Sequence, residues 1–163
     1  MKRRKLLGLI FVVISLVLLN CNQIIPAQSK VRHEMVLKVG SPLMVADGVE
    51  KEIDPVERVT PFIEGGRALV PARSLVEALG GTISWDAASK GQVIMKLGDK
   101  SIEMYVNASI VYVNSGEMSE EKGIDTPMRI VKNRAVVPVR YVFEHLGCEV
   151  KWDNAKKQIT IGY

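Results

Sequence analysis

The sequence predicts an α+β protein of two related units behind an N-terminal signal peptide. Each unit is an antiparallel β-meander packed on one short helix. Three observations carry this. Arg67–Lys90 and Arg134–Lys157 align without gaps and share 12 of 24 positions at a constant spacing of 67. Within each copy, apolar residues fall at helical spacing directly after a Val-Pro pair, and the chain resumes strand-like alternation after a glycine. Residues 1–27 have the layout of an export signal: the basic run MKRRK, then an apolar stretch from Leu6 to Leu19 that is too short, as a helix, to span the roughly 30 Å hydrocarbon layer.

Two endings compete for that signal. Leu18-Leu19-Asn20-Cys21 resembles a bacterial lipobox, in which Cys21 would be lipidated, although Asn20 stands where a small residue is usual. Cleavage near Ile25-Pro26-Ala27 would instead release a soluble secreted protein. Either way, membrane contact is expected only through the signal or a lipid anchor. Residues 28–34 are mainly polar and read as a tether into the first unit, 35–98, which is followed by the second, 99–163.

In the first unit, Met35–Gly40 and Pro42–Glu50 read as strands turning at Asp47-Gly48. Pro55, Pro61, Gly65 and Gly66 mark a loop with one short extended piece at Val59–Ile63. Val70 precedes proline and is therefore extended, and Pro71 suits the first helical position because its missing N–H costs nothing there. Ala72, Leu75, Val76 and Leu79 form one apolar stripe, and Gly80 is the helix stop. TISW, a turn from Asp86 to Gly91, and Gln92–Leu97 complete a hairpin. Gly98-Asp99 turns into KSIEMYV, and Ser109–Met118 supplies another strand with Asn114-Ser115-Gly116 as its turn. The acidic run Glu117–Lys122 and Gly123–Pro127 read as loop, parallel to KEIDPVERVTP in the first copy. Then Pro138, the stripe Val139, Val142, Phe143 and Leu146, the stop Gly147, EVKW, DNAKK and QITIGY repeat the pattern.

The formal charge of +4 comes from Lys2, Arg3, Arg4 and Lys5 alone, because the rest of the chain balances 18 basic against 18 acidic residues. That balance argues against a phosphate-tracking surface, and no nucleic acid is expected. There are two cysteines, Cys21 and Cys148, so no internal disulfide framework exists. Cys148 replaces Gly81 and reads as a buried small hydrophobe. The two histidines, His33 and His145, the scattered methionines, and the lack of phosphate-loop, nucleophile-elbow or zinc-helix motifs predict no cofactor, no metal and no enzyme.

Residues written twice have structural readings. Pro71/Pro138 and Gly80/Gly147 set helix ends. Trp85/Trp152 close the core of each unit, with a sugar-stacking platform as the functional alternative. Asp86/Asp153 accept turn N–H groups. Arg67 and Arg134 open each copy. Arg73/Arg140 read as clamps onto a loop carbonyl or onto Asp86/Asp153, with anion binding as the alternative. Specificity is expected where the copies differ, above all at a candidate ligand-contact surface of Arg140, Tyr141 and His145.

The doubled pattern, RALVPARSLVEALGGTISWD and RAVVPVRYVFEHLGCEVKWD, resembles the copper amine oxidase N-terminal-like domain, a stalk module of exported and surface proteins in Gram-positive bacteria. The resemblance covers roughly residues 35–163. It implies an antiparallel sheet wrapped around a helix, in an exported, non-catalytic binding or scaffolding protein of the cell envelope. The implied partner is a cell-wall polymer or a surface protein, with assembly onto a separate cell-wall enzyme as the alternative. It brings no copper chemistry, which needs three histidine ligands in a large catalytic domain, and this chain holds two histidines.

Overall fold

A computed structural model describes residues 33–163; the expected signal peptide, Cys21 and nearly all of the expected tether lie outside them. Among the described residues, fourteen strands and two helices follow one another. They are β1 (Glu34–Lys38), β2 (Leu43–Ala46), β3 (Val49–Glu52), β4 (Phe62–Glu64), β5 (Arg67–Pro71), α1 (Ala72–Ala78), β6 (Thr82–Asp86) and β7 (Gln92–Leu97). They continue as β8 (Lys100–Tyr105), β9 (Ile110–Ser115), β10 (Met118–Gly123), β11 (Arg129–Val131), β12 (Arg134–Pro138), α2 (Val139–His145), β13 (Glu149–Asp153) and β14 (Gln158–Gly162).

This corrects the expected fold class. The described residues are mostly β, with three antiparallel sheets, and do not form two α+β units each carrying its own meander. One sheet is a contiguous meander, β6 to β10. Another has the order β13-β14-β1-β2-β3, so it joins the beginning of the folded region to its end. A four-stranded sheet, β11-β12-β5-β4, lies between the two copies in the pairing order. The physical reason is where β14 finds its neighbour. β7 pairs with β8, which follows it through the Gly98 turn, whereas the same edge of β14 is taken by β1, with Glu34 opposite Gly162 and Lys38 opposite Gln158. The acidic run is also corrected: Met118–Gly123 is a strand, β10, at the margin of its sheet.

A pseudo-twofold relation connects the copies. In the β5–β12 pair, Val70 lies opposite Val137, its own counterpart one repeat on. Met35 and Leu37 of β1 stand where Ile102 and Met104 stand in β8, and all four are buried. One core runs through both copies, including Val70, Leu75 and Val76 with Val137, Val142 and Phe143.

The helix ends are written locally. Pro71 and Pro138 are extended (ψ 119° and 110°) and occupy the N-caps. At the other end Gly80 N–H donates to Glu77 and Gly81 N–H to Val76, with the same pair from Gly147 to Glu144 and from Cys148 to Phe143. This pair of hydrogen bonds closes the last turn and needs a left-handed residue, supplied by Gly80 (φ 77°) and Gly147 (φ 92°). A methyl group at Gly80 would touch nothing within 4 Å, so Gly80→Ala isolates the conformational penalty. It is expected to cost about 1 kcal/mol and lower Tm by about 4 °C in a thermal melt.

Candidate functional site

The repeat builds a groove twice. The larger, about 710 Å³, lies between the first turns of α2, the inner face of β13–β14 and the β4–β5 turn. Trp152, Val150 and Ile159 give it apolar lining, and Arg140, Tyr141 and His145 line it as well. The smaller, about 320 Å³, is lined at corresponding positions by Trp85, Ile83, Val93 and Arg73. Arg67 lines the larger groove and Arg134 the smaller, so each copy contributes to the groove of the other.

The larger groove is where the copies diverge. Tyr141 stands in place of Ser74, His145 in place of Ala78, and Lys151 in place of Ser84. The Tyr141 and His145 rings lie 4.4 Å apart, and the Tyr141 hydroxyl donates to the Gly123 carbonyl at 3.3 Å. His145 Nδ1 is 2.7 Å from the Tyr141 carbonyl oxygen. A carbonyl only accepts, so Nδ1 carries a proton and donates it there. Burial pushes the Tyr141 hydroxyl pKa up against a smaller opposing effect of Lys122. The ring therefore remains a hydrogen-bonding phenol. Lys157 Nζ sits 6.0 Å from the Trp152 ring centroid and donates to Asn154 at 2.9 Å.

The other repeated residues occupy defined places. Asp86 Oδ1 accepts the Ala88 N–H at 2.9 Å, and Asp153 Oδ1 accepts those of Ala155 and Lys156 at 2.9 and 3.0 Å. The Ser89 hydroxyl, then the Ala88 amide, lower the Asp86 pKa; the Lys156 amide leads for Asp153. Arg73 and Arg140 reach Glu77 and Glu144, four residues on in each helix, at 3.6 and 3.8 Å. Both are exposed pairs, worth at most about 0.5 kcal/mol each. Trp85 is 45% exposed and Trp152 is half-buried against the core, so neither indole is fully enclosed.

The partners of Arg67 and Arg134 are not evident from either repeat copy alone. Arg134 Nε donates to Asp54 at 3.0 Å, and Arg67 pairs with Asp125. Each aspartate follows a buried isoleucine, Ile53 or Ile124, and each binds the arginine of the other copy. The repeated Ile-Asp pair is the signal that could have revealed this.

Nothing in this arrangement forms a nucleophile with a base. Burial pushes the Cys148 thiol up to about 11, only partly offset by Lys100, so it is inert at neutral pH. Among the described residues no group of three or more His, Cys, Asp or Glu side chains is placed to hold a metal ion, and no helix is long and apolar enough to cross a membrane.

Fold and grooves together define a duplicated, β-rich module whose distinctive surfaces are concave and aromatic. The chain belongs to the copper amine oxidase N-terminal domain family, whose model matches residues 54–161. That domain is a non-catalytic part of the oxidases for which it is named. Neither the curated proteins nor the solved structures include a match to this chain.

Proposed function

We propose that the protein is a non-catalytic, exported binding module of the bacterial cell envelope that contacts a cell-wall polymer. The observation that carries this reading is the pair of grooves with a tryptophan at the same repeat position. Duplicated sites suit a ligand that is itself repetitive, since two weak contacts on one chain gain from effective concentration. The export signal read from residues 1–27 supports the location, and Cys21 offers a lipid anchor.

The alternative partner is a separate cell-wall enzyme or surface protein. Its support is the outermost strands of two sheets among the described residues, β3 and β10, where Val49 and Met118 are 56% and 67% exposed. Both margins carry charge, Glu50, Lys51 and Glu52 on one and Glu120, Glu121 and Lys122 on the other. Charged edges discourage strand addition, so the polymer reading stands first. Sedimentation with purified cell walls tests it. Retention of the full chain in detergent on walls stripped of protein is expected; absence from the wall pellet, with capture of one defined protein instead, would overturn it.

A further inference from the structure

The larger groove has a charge pattern that its surroundings lack. Six of the 22 Lys and Arg residues precede His33 and no acidic residue does, so residues 33–163 carry 16 basic against 18 acidic side chains. This acidic region nevertheless lines the larger groove with Arg67, Arg140, Lys151 and Lys157 against only Asp125 and Glu144. The smaller groove carries Arg73 and Arg134 and no acid in its lining. We propose that the Trp152 groove binds an acidic saccharide, a pyranose ring bearing a carboxylate, with the indole as its stacking surface and Lys157 as its anionic anchor. The proposal rests on the binding-module reading above and gives it a ligand class.

The chemistry fits on both sides of a sugar ring. A pyranose presents an apolar C–H face bordered by hydroxyl groups in the plane of the ring. The partly exposed Trp152 ring offers an apolar surface of that kind, backed by the buried Val150 and Ile159, within a cavity of the size small ligands occupy. The Tyr141 hydroxyl and the Asn154 amide supply polar groups around it. Most of the basic side chains here already have acidic partners: Arg67 has Asp125, Arg140 has Glu144, and Lys151 has Glu149 at 3.0 Å. Lys157 differs. Its contacts are the neutral Asn154 amide and the Trp152 ring, so its positive charge stands beside the stacking surface uncompensated. A carboxylate on a stacked sugar would meet it there.

The test uses the full chain in non-ionic detergent and two matched sugars, N-acetylmuramic acid, which carries a carboxylate, and N-acetylglucosamine, which lacks it. Binding is followed by saturation-transfer NMR on the sugar, so every variant is read in the same way. Saturable binding is expected, at least about tenfold tighter for the acidic sugar, equivalent to about 1.4 kcal/mol. Trp152→Ala should abolish it. Because Trp152 also touches the core, Lys157→Gln on the exposed rim is the second variant, and it should erase the preference without lowering Tm. Equal affinity for both sugars, or an unchanged preference in Lys157→Gln, would overturn the proposal, as would binding of a glutamate-rich peptide with no binding of either sugar. If walls retain the wild type and both variants equally, the binding-module reading survives and the saccharide site fails. If walls do not retain the wild type, the underlying reading fails.

Discussion

Deleting residues 34–52 is expected to abolish the cooperative thermal transition of the protein. These residues are β1 to β3, and β1 is paired on both sides, with β14 over five residues and with β2 over three. Their removal opens the β14 edge along its whole length and takes Met35, Leu37 and Met44 out of the core. Truncating one such side chain costs about 2–5 kcal/mol, and a domain of this size holds about 5–15 kcal/mol in total. Three losses together exhaust that margin. Circular dichroism during heating should show a gradual slope where the intact chain shows a sigmoid, with dye-binding apolar surface already present at 25 °C. The point variant Met35→Ala, expected to lose about 2–4 kcal/mol while keeping the sigmoid, gives the graded control. A deletion variant that melts cooperatively within a few degrees of the intact chain would mean that β13–β14 forms a sufficient sheet without the N-terminal strands.

The strand content of that segment was legible in the sequence, but its place was not. Alternation in EMVLK marks a strand with one buried face, yet periodicity carries no information about which strand lies beside it. Glu34 and Gly162 are neighbours across a ladder although nearly the whole folded region separates them in sequence. The helix ends were readable for the opposite reason. Pro71, Gly80, Pro138 and Gly147 act on backbone groups within a few residues, so their effect is local. β10 reads as loop in the sequence because its residues, MSEEKG, show no apolar alternation, and in the fold they are exposed or half-exposed throughout. The groove was legible only in pieces. In the sequence, Arg140, Tyr141 and His145 read as one surface and Trp152 as a separate core residue. The chain reverses at Gly147 and lays β13 beside α2, and this brings all four into one lining.

The paired arginines make the second large prediction, because one interaction is built twice in unlike surroundings. Asp54→Ala is expected to cost about 2–4 kcal/mol and Asp125→Ala less than about 1 kcal/mol, measured by urea unfolding at pH 7. The Asp54 side chain is 4% exposed and accepts from the Glu57 and Val59 amides, each at 3.3 Å, as well as from Arg134. Removing it strands those donors, including the amide of the buried Val59, and takes the counter-charge from Arg134. Asp125 and Arg67 are 62% and 55% exposed, so water replaces either partner cheaply. Acid should separate the two variants further. Burial alone would raise the Asp54 carboxyl, but the Val59 and Glu57 amides and Arg134 outweigh it, and its pKa lies below the ordinary value. A depressed carboxylate stabilises the fold above its unfolded pKa, near 4, and loses that contribution as pH falls through the folded value. The gap between wild type and Asp54→Ala should therefore narrow between pH 5 and about pH 2, since the protonated wild-type side chain has also lost its charge. Equal losses from the two aspartate variants at pH 7 would show that burial does not distinguish the pairs. A gap that widens in acid would show that Asp54 is held as the neutral acid. If both hold as expected, the Ile-Asp pair fastens each copy to the other, with the stronger fastening at Asp54, where the chain leaves the N-terminal strands.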